Sequence, residues 1–168
     1  MTKHFNKLLP DWLHQKVLDQ VESSSIDWHF PGNGIDLNLS CFMRKVYDAE
    51  QNYLNYNNLD SLNFALECWI NENQWFNFKS LNRCIVNFYT PNMTMGWHTD
   101  HSNPNFYTLI YYVNDSDGGT QVEDNIYDHK ENSGILLNSN VNHINIESQS
   151  PRRISIAWIL EGYPNESI

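Results

Sequence analysis

From residue 82 onward the chain is cut into short segments rich in β-branched and aromatic residues, each closed by turn formers. The segments run Arg83 to Tyr89, Gly96 to Asp100, Phe106 to Asn114, Gly119 to Val122, Gly134 to Asn138, His143 to Glu147 and Arg153 to Leu160. Between them stand Thr90-Pro91-Asn92, Ser102-Asn103-Pro104-Asn105, Asp115-Ser116-Asp117-Gly118-Gly119 and Asn138-Ser139-Asn140. About seven strands at such regular spacing predict an antiparallel sandwich or barrel of jelly-roll type.

The preceding 80 residues read differently. In Asp11 to Val21 the side chains of Trp12, Leu13, Val17 and Val21 return on one helical face, with Pro10 and Asp11 as start signals. Asp60-Ser61 opens a second helix through Leu62, Ala65, Cys68 and Trp69 to about Asn71. Trp12 and Trp69 are expected in helix-to-sheet packing. Pro31-Gly32-Asn33-Gly34 is a turn, and Ile35 to Leu39 alternates as a short edge strand would. Tyr47 to Tyr56 fits neither pattern. No repeat or linker interrupts the 168 residues, so we expect one α+β domain over 1–168. Residues 1–80 would form a mainly helical layer packed on one sheet, and 81–162 the jelly-roll core.

A net charge of −10, with ten Lys and Arg in all, argues against a broad nucleic-acid grip or an anionic membrane surface. No stretch has the length of a secretory signal or a membrane span, and Cys41, Cys68 and Cys84 are widely spaced. Buried, reduced thiols in a cytoplasmic protein are the expectation.

His98-Thr99-Asp100 carries the chemistry. On an extended strand alternate side chains share a face, so the imidazole and the carboxylate project together, about 6–7 Å apart at Cα. With a second His they would complete the 2-His-1-carboxylate facial triad, which leaves positions open on non-haem Fe(II). His143 is the candidate, and Arg153, ten residues on, is the cation for an anionic co-substrate. Alternation in Arg153-Ile154-Ser155-Ile156-Ala157-Trp158 turns Arg153, Ser155 and Ala157 inward and Arg152 outward. The same parity groups Thr108, Ile110 and Tyr112 on one face and pairs Tyr89 with Asn87. His101 has the wrong parity for the metal and reads as a loop histidine. His4, His14, His29 and His129 have no partner in the pattern and are expected to be solvated or structural.

Taken together, Asn87-Phe88-Tyr89-Thr90-Pro91, His98-Thr99-Asp100, Thr108 to Asn114, Gly118-Gly119-Thr120, and His143 followed by Arg153 to Trp158 resemble the Fe(II)/2-oxoglutarate-dependent dioxygenases, prolyl-4-hydroxylase-like branch. The resemblance covers residues 83–160. It implies a double-stranded β-helix, a cupin-like barrel, with iron held by His98, Asp100 and His143. It further implies 2-oxoglutarate contacted by Arg153, Tyr112, Tyr89 and Ser155, and O₂ as the second co-substrate. The implied reaction hydroxylates an unactivated C–H bond and releases succinate and CO₂. Gly118-Gly119 is either a tight turn needing φ > 0 or a small-residue gap at the cavity mouth.

The expected substrate is a prolyl residue of a peptide or protein. Asn92 stands where that branch carries Gly after Pro91, but Asn also adopts the left-handed conformation. A free amino acid or other small molecule is an alternative. A second is nucleic-acid alkyl repair, whose enzymes carry another Arg six residues beyond the first, where this chain has Ile159. A non-catalytic metal-binding barrel is the remaining reading.

Overall fold

The computed structural model describes residues 2–23, 27–29, 41–54 and 60–165. The turn at 31–34 and the strand expected at 35–39 lie outside them. Ten strands and two helices are described: β1 (Thr2–Phe5), α1 (Asp11–Val21), β2 (Phe42–Asp48), β3 (Tyr53–Leu54), α2 (Asp60–Glu72), β4 (Phe76–Tyr89), β5 (Phe106–Tyr112), β6 (Gly119–Val122), β7 (Asn125–Asp128), β8 (Ser133–Asn138), β9 (His143–Ile146) and β10 (Arg153–Pro164). A seven-stranded antiparallel sheet runs β1-β8-β5-β10-β4-β2-β3, and a three-stranded sheet runs β7-β6-β9. The two face each other as an unclosed double-stranded β-helix, the α+β jelly roll expected from the strand spacing.

Period-two alternation sorts the side chains of the large sheet. Leu109, Tyr111 and Val113 join Cys84, Val86, Ile154, Ile156 and Trp158 on the outer face. There they meet Leu13, Val17 and Val21 of α1 and Leu62, Ala65, Leu66 and Trp69 of α2. Each such buried aliphatic contributes roughly 1.5–3 kcal/mol. Ile110 and Tyr112, on the other face of β5, pack with Val122, Ile135 and Leu137 between the two sheets. The helices thus cover one face and leave the space between the sheets for chemistry.

Three departures from the sequence reading have physical causes. The N-terminal 80 residues supply strands as well as helices: β1 pairs with β8 at one edge, while β2 and β3 extend the other. Four residues at an edge carry too short an alternation to be distinguished from a loop. Trp12 is 53% exposed and rests on Phe64 at 5.9 Å, because Leu13 and His14 take the inward positions of α1. Gly96 to Asp100 is not a strand; its ladder reduces to one bridge between His98 and His143. Cys41 and Cys84 are buried, Cys68 is half-buried, and all three are free thiols. No helix among the described residues is long and apolar enough to cross a membrane.

Candidate metal centre and co-substrate pocket

The single bridge between His98 and His143 positions the two imidazoles. His98 N–H donates to the His143 carbonyl at 3.0 Å, and His143 N–H returns the bond at 2.9 Å. Directly opposed residues of such a pair point the same way. The ring centroids are 4.3 Å apart. Asp100 is fixed from the next turn: its N–H and that of His101 both donate to the Ser139 carbonyl. Upstream, Asn92 takes φ 64°, so the lead-in turn closes without glycine, as expected for Asn.

His98 Nε2 lies 3.7 Å from Asp100 Oδ1, and His143 Nε2 lies 3.5 Å from Asp100 Oδ2. One ligand atom from each residue falls within 4.8 Å of the other two. The far ring nitrogens are engaged: His98 Nδ1 bonds the Gly96 carbonyl at 2.7 Å and His143 Nδ1 the Val141 carbonyl at 3.1 Å. A carbonyl can only accept, so each Nδ1 carries the proton and each Nε2 offers a lone pair toward the shared point. Burial and the neighbouring His143 hold the His98 pKa below its usual value, which keeps it neutral for ligation. Thr108 donates to Asp100 Oδ2 at 2.7 Å. Two imidazoles with Nε2 turned to one point and one oriented carboxylate fit a divalent iron with open positions.

Arg153 and Arg152 separate as parity requires. Arg152 is exposed and paired with Glu22 at 2.8 Å. Arg153 is 1% exposed and has no carboxylate partner among the described residues. Its guanidinium donates to His129 Nδ1 (3.0 Å), the Ile146 carbonyl (2.7 Å), the Gly119 carbonyl (2.7 Å) and Asn145 Oδ1 (3.0 Å). Four of five N–H groups are used and one remains. Tyr89 lies beneath it, 5.1 Å from ring centroid to guanidinium carbon, with its hydroxyl bonded to Asn145.

Close by are hydroxyls without partners. Tyr112 Oη and Thr120 Oγ1 neighbour each other, fully buried, and neither finds a well-formed hydrogen bond. Burial pushes the Tyr112 phenol up to about 12, so it remains a donor. An unpaired buried cation beside two unsatisfied hydroxyls fits the distal carboxylate of a dicarboxylic acid, which would satisfy all three. Ser155 lies opposite Tyr112 on the ladder and lines the cavity.

The cavity holds about 400 Å³ and is bounded by the triad, Asn87, Asn145, Ser155 and Ala157, with Ile85, Ile110 and Ile159 as apolar walls. Tyr89 and Tyr112 stand behind this lining rather than in it. Gly118 and Gly119 do not take positive φ; each is small because something approaches it. A Cβ at Gly118 would lie 3.0 Å from Arg153 Nη1, and one at Gly119 would lie 2.6 Å from the Tyr127 carbonyl.

Several participants escaped the sequence reading. His129 is fully buried, packs against Tyr112 with ring centroids 4.5 Å apart and accepts from Arg153, so it is built into the layer behind the pocket. Burial and the adjacent Arg153 keep its pKa well below the usual value. Nothing in its sequence surroundings signals this. Asn145, Thr108 and Arg83 were accessible in principle, since each shares strand parity with a residue already singled out. His14, by contrast, bridges Tyr111 and Glu131 in the helix–sheet layer, and His101 stacks on Phe106, as loop and structural histidines do.

No protein-family model and no curated protein matches the sequence. Solved structures are similar. A prolyl hydroxylase from Trichoplax adhaerens, in complex with a hypoxia inducible factor peptide fragment, superposes with a TM-score of 0.66 at 15% identity, covering 95% of this chain and 83% of that one. The fold is shared with the Fe(II)/2-oxoglutarate oxygenases. The viral collagen prolyl hydroxylase of Paramecium Bursaria Chlorella virus-1, solved with 2-oxoglutarate, gives 0.62 at 13% identity over 95% and 94% of the two chains. An alpha ketoglutarate dependent epimerase from nogalamycin biosynthesis gives 0.68 at 11% identity over 99% and 82%. The shared architecture therefore accompanies more than one reaction.

Proposed function

We propose that this chain is an Fe(II)- and 2-oxoglutarate-dependent dioxygenase that hydroxylates an unactivated C–H bond. The observation that carries the reading is the convergence of His98, Asp100 and His143 on one point. Arg153, buried behind the lining of the same interior with no carboxylate partner among the described residues, supports it. His98, Asp100 and His143 would hold the iron. Arg153, Tyr112 and Thr120 would receive the distal carboxylate of 2-oxoglutarate, with Ser155 and Asn145 along its path and Tyr89 supporting the guanidinium. When bound, iron, 2-oxoglutarate and O₂ supply the oxidising power, and the co-substrate leaves as succinate and CO₂.

The chain's own work is positional. Thr108 keeps Asp100 from rotating, and the carbonyls of Gly96 and Val141 keep both imidazoles in the ligating tautomer. Ile85, Ile110 and Ile159 exclude water and offer no polar group that would divert the oxidant. The proposed substrate is a prolyl residue of a peptide or protein. The sequence blocks at Thr108 to Asn114 and Gly118-Gly119 support that choice, as does the presence of prolyl hydroxylases among the similar structures. We place the protein in the cytoplasm, as one domain over its 168 residues.

The test is succinate formation from 2-oxoglutarate by the purified protein with Fe(II) in air, read by mass spectrometry. His98→Ala and Asp100→Ala should each abolish it. Undiminished turnover in either variant would remove the metal assignment.

A further inference from the structure

Arg83 was not anticipated and has no part in the scheme above, yet it lines the cavity. It sits on β4 opposite Ile159 of β10, whereas Arg153 sits opposite Tyr89. Six residues along a ladder is about 20 Å, so the two guanidinium-bearing positions are well separated: Arg83 lines the cavity, whereas Arg153 stands behind the lining with Tyr89 and Tyr112. The metal triad lies between them. Asp100 presents its carbonyl to Arg83 Nη2 at 2.8 Å, while Asn145, two residues beyond His143, accepts from Arg153. An anion bound at Arg153 is therefore out of reach of Arg83.

The Asp100 carbonyl occupies one of the five N–H groups of Arg83, and the buried Nε has no partner. Among the described residues the nearby carboxylates are engaged elsewhere. Asp48, Arg83's register partner on β2, feels the Arg83 charge but spends its hydrogen bonds on Lys45 at 2.8 Å and the Gln51 N–H at 3.1 Å. Glu50 contacts His101. In a chain of charge −10, a guanidinium that lines a cavity and bonds no carboxylate directly keeps donors free for one. Trp97, which also lines the cavity, is half exposed and offers an apolar face.

We propose that Arg83 seats a carboxylate of the primary substrate, so that the compound oxidised is an acid with its reactive carbon held over the metal centre. The carboxylate is either the α-carboxylate of a free or C-terminal residue or an Asp or Glu side chain beside the target in a peptide. This rests on the dioxygenase reading above and deepens it from reaction to substrate class.

Four probes separate the sources: N-acetyl-L-proline against its amide, and acetyl-Ala-Pro-Glu-Ala-amide against its Gln counterpart. Each is titrated calorimetrically into protein loaded with redox-silent Mn(II) and 2-oxoglutarate under argon. One acid should bind about tenfold or more tighter than its neutral partner, as a charge-assisted bond to Arg would give. Arg83→Gln should erase that preference and Arg83→Lys retain part of it, while 2-oxoglutarate affinity stays unchanged in both. A preference that survives Arg83→Gln, or no preference for either acid, overturns the proposal. Failure of the dioxygenase reading shows separately, as a wild-type protein that neither binds 2-oxoglutarate nor forms succinate.

Discussion

Replacing Arg153 by Met should weaken 2-oxoglutarate binding, whereas replacing its neighbour Arg152 should not. Arg153 is 1% exposed and held by four hydrogen bonds, so its charge meets an incoming carboxylate in a dry, preorganised setting. Its one free N–H would supply a charge-assisted bond worth about 1.5–3 kcal/mol, and without the cation the carboxylate would be buried unpaired. A loss of roughly 2–4 kcal/mol corresponds to a dissociation constant raised about 30- to 1,000-fold. Arg152 holds Glu22 at a half-exposed site, where such a pair contributes about 0–1 kcal/mol to stability and nothing to the pocket. The assay is calorimetric titration of 2-oxoglutarate into each Mn(II)-loaded variant, with urea denaturation showing that each is folded. Arg153→Met also strips partners from the Ile146 and Gly119 carbonyls and from Asn145, so some loss of stability accompanies the change. Equal weakening by the two substitutions would refute the reasoning. So would folded Arg153→Met protein that binds within about threefold of the parent.

Two further predictions concern stability. The folded-state pKa of His129 lies well below its unfolded value of about 6.5, so the unfolded chain binds more protons and stability falls as pH drops through 6.5. His129→Gln should flatten that loss between pH 7 and 5, measured by urea midpoints, with the smaller same-sign contribution of His98 remaining. An unchanged slope would mean His129 is not buried and neutral. Gly134→Ala places a Cβ 2.4 Å from the Ile110 carbonyl and 2.7 Å from Leu8 Cδ1, on β8 where it pairs with β5. It should cost about 2–4 kcal/mol, or roughly 5–15 °C in Tm, and a wild-type melting curve would contradict the register.

Much of the site was legible because strand parity is local. Once Arg153 to Trp158 is read as a strand, period two alone sends Ser155 and Ala157 inward and Ile154, Ile156 and Trp158 toward the helices. The same rule put Ile110 and Tyr112 on the interior face. It failed where the backbone is not a strand or where the partner is remote. Trp12 shows the first kind of limit: a helical stripe specifies a face, but the depth of each position on it depends on what packs opposite. His129 shows the second, since its contact with Arg153 spans 24 residues of chain.

The sequence by itself determined the strand-rich half, the two helices, the spacing of the His98, Asp100 and His143 triad and the identity of the inward-facing arginine on β10. These follow from side-chain periodicity and residue chemistry, which need no knowledge of distant partners. Only the tertiary structure decided that β1 and β2 complete the large sheet, that His129 packs against Tyr112 and Arg153, and that Arg83 lines the cavity. Each of those is a pairing between segments far apart in the chain, set by which surfaces bury one another.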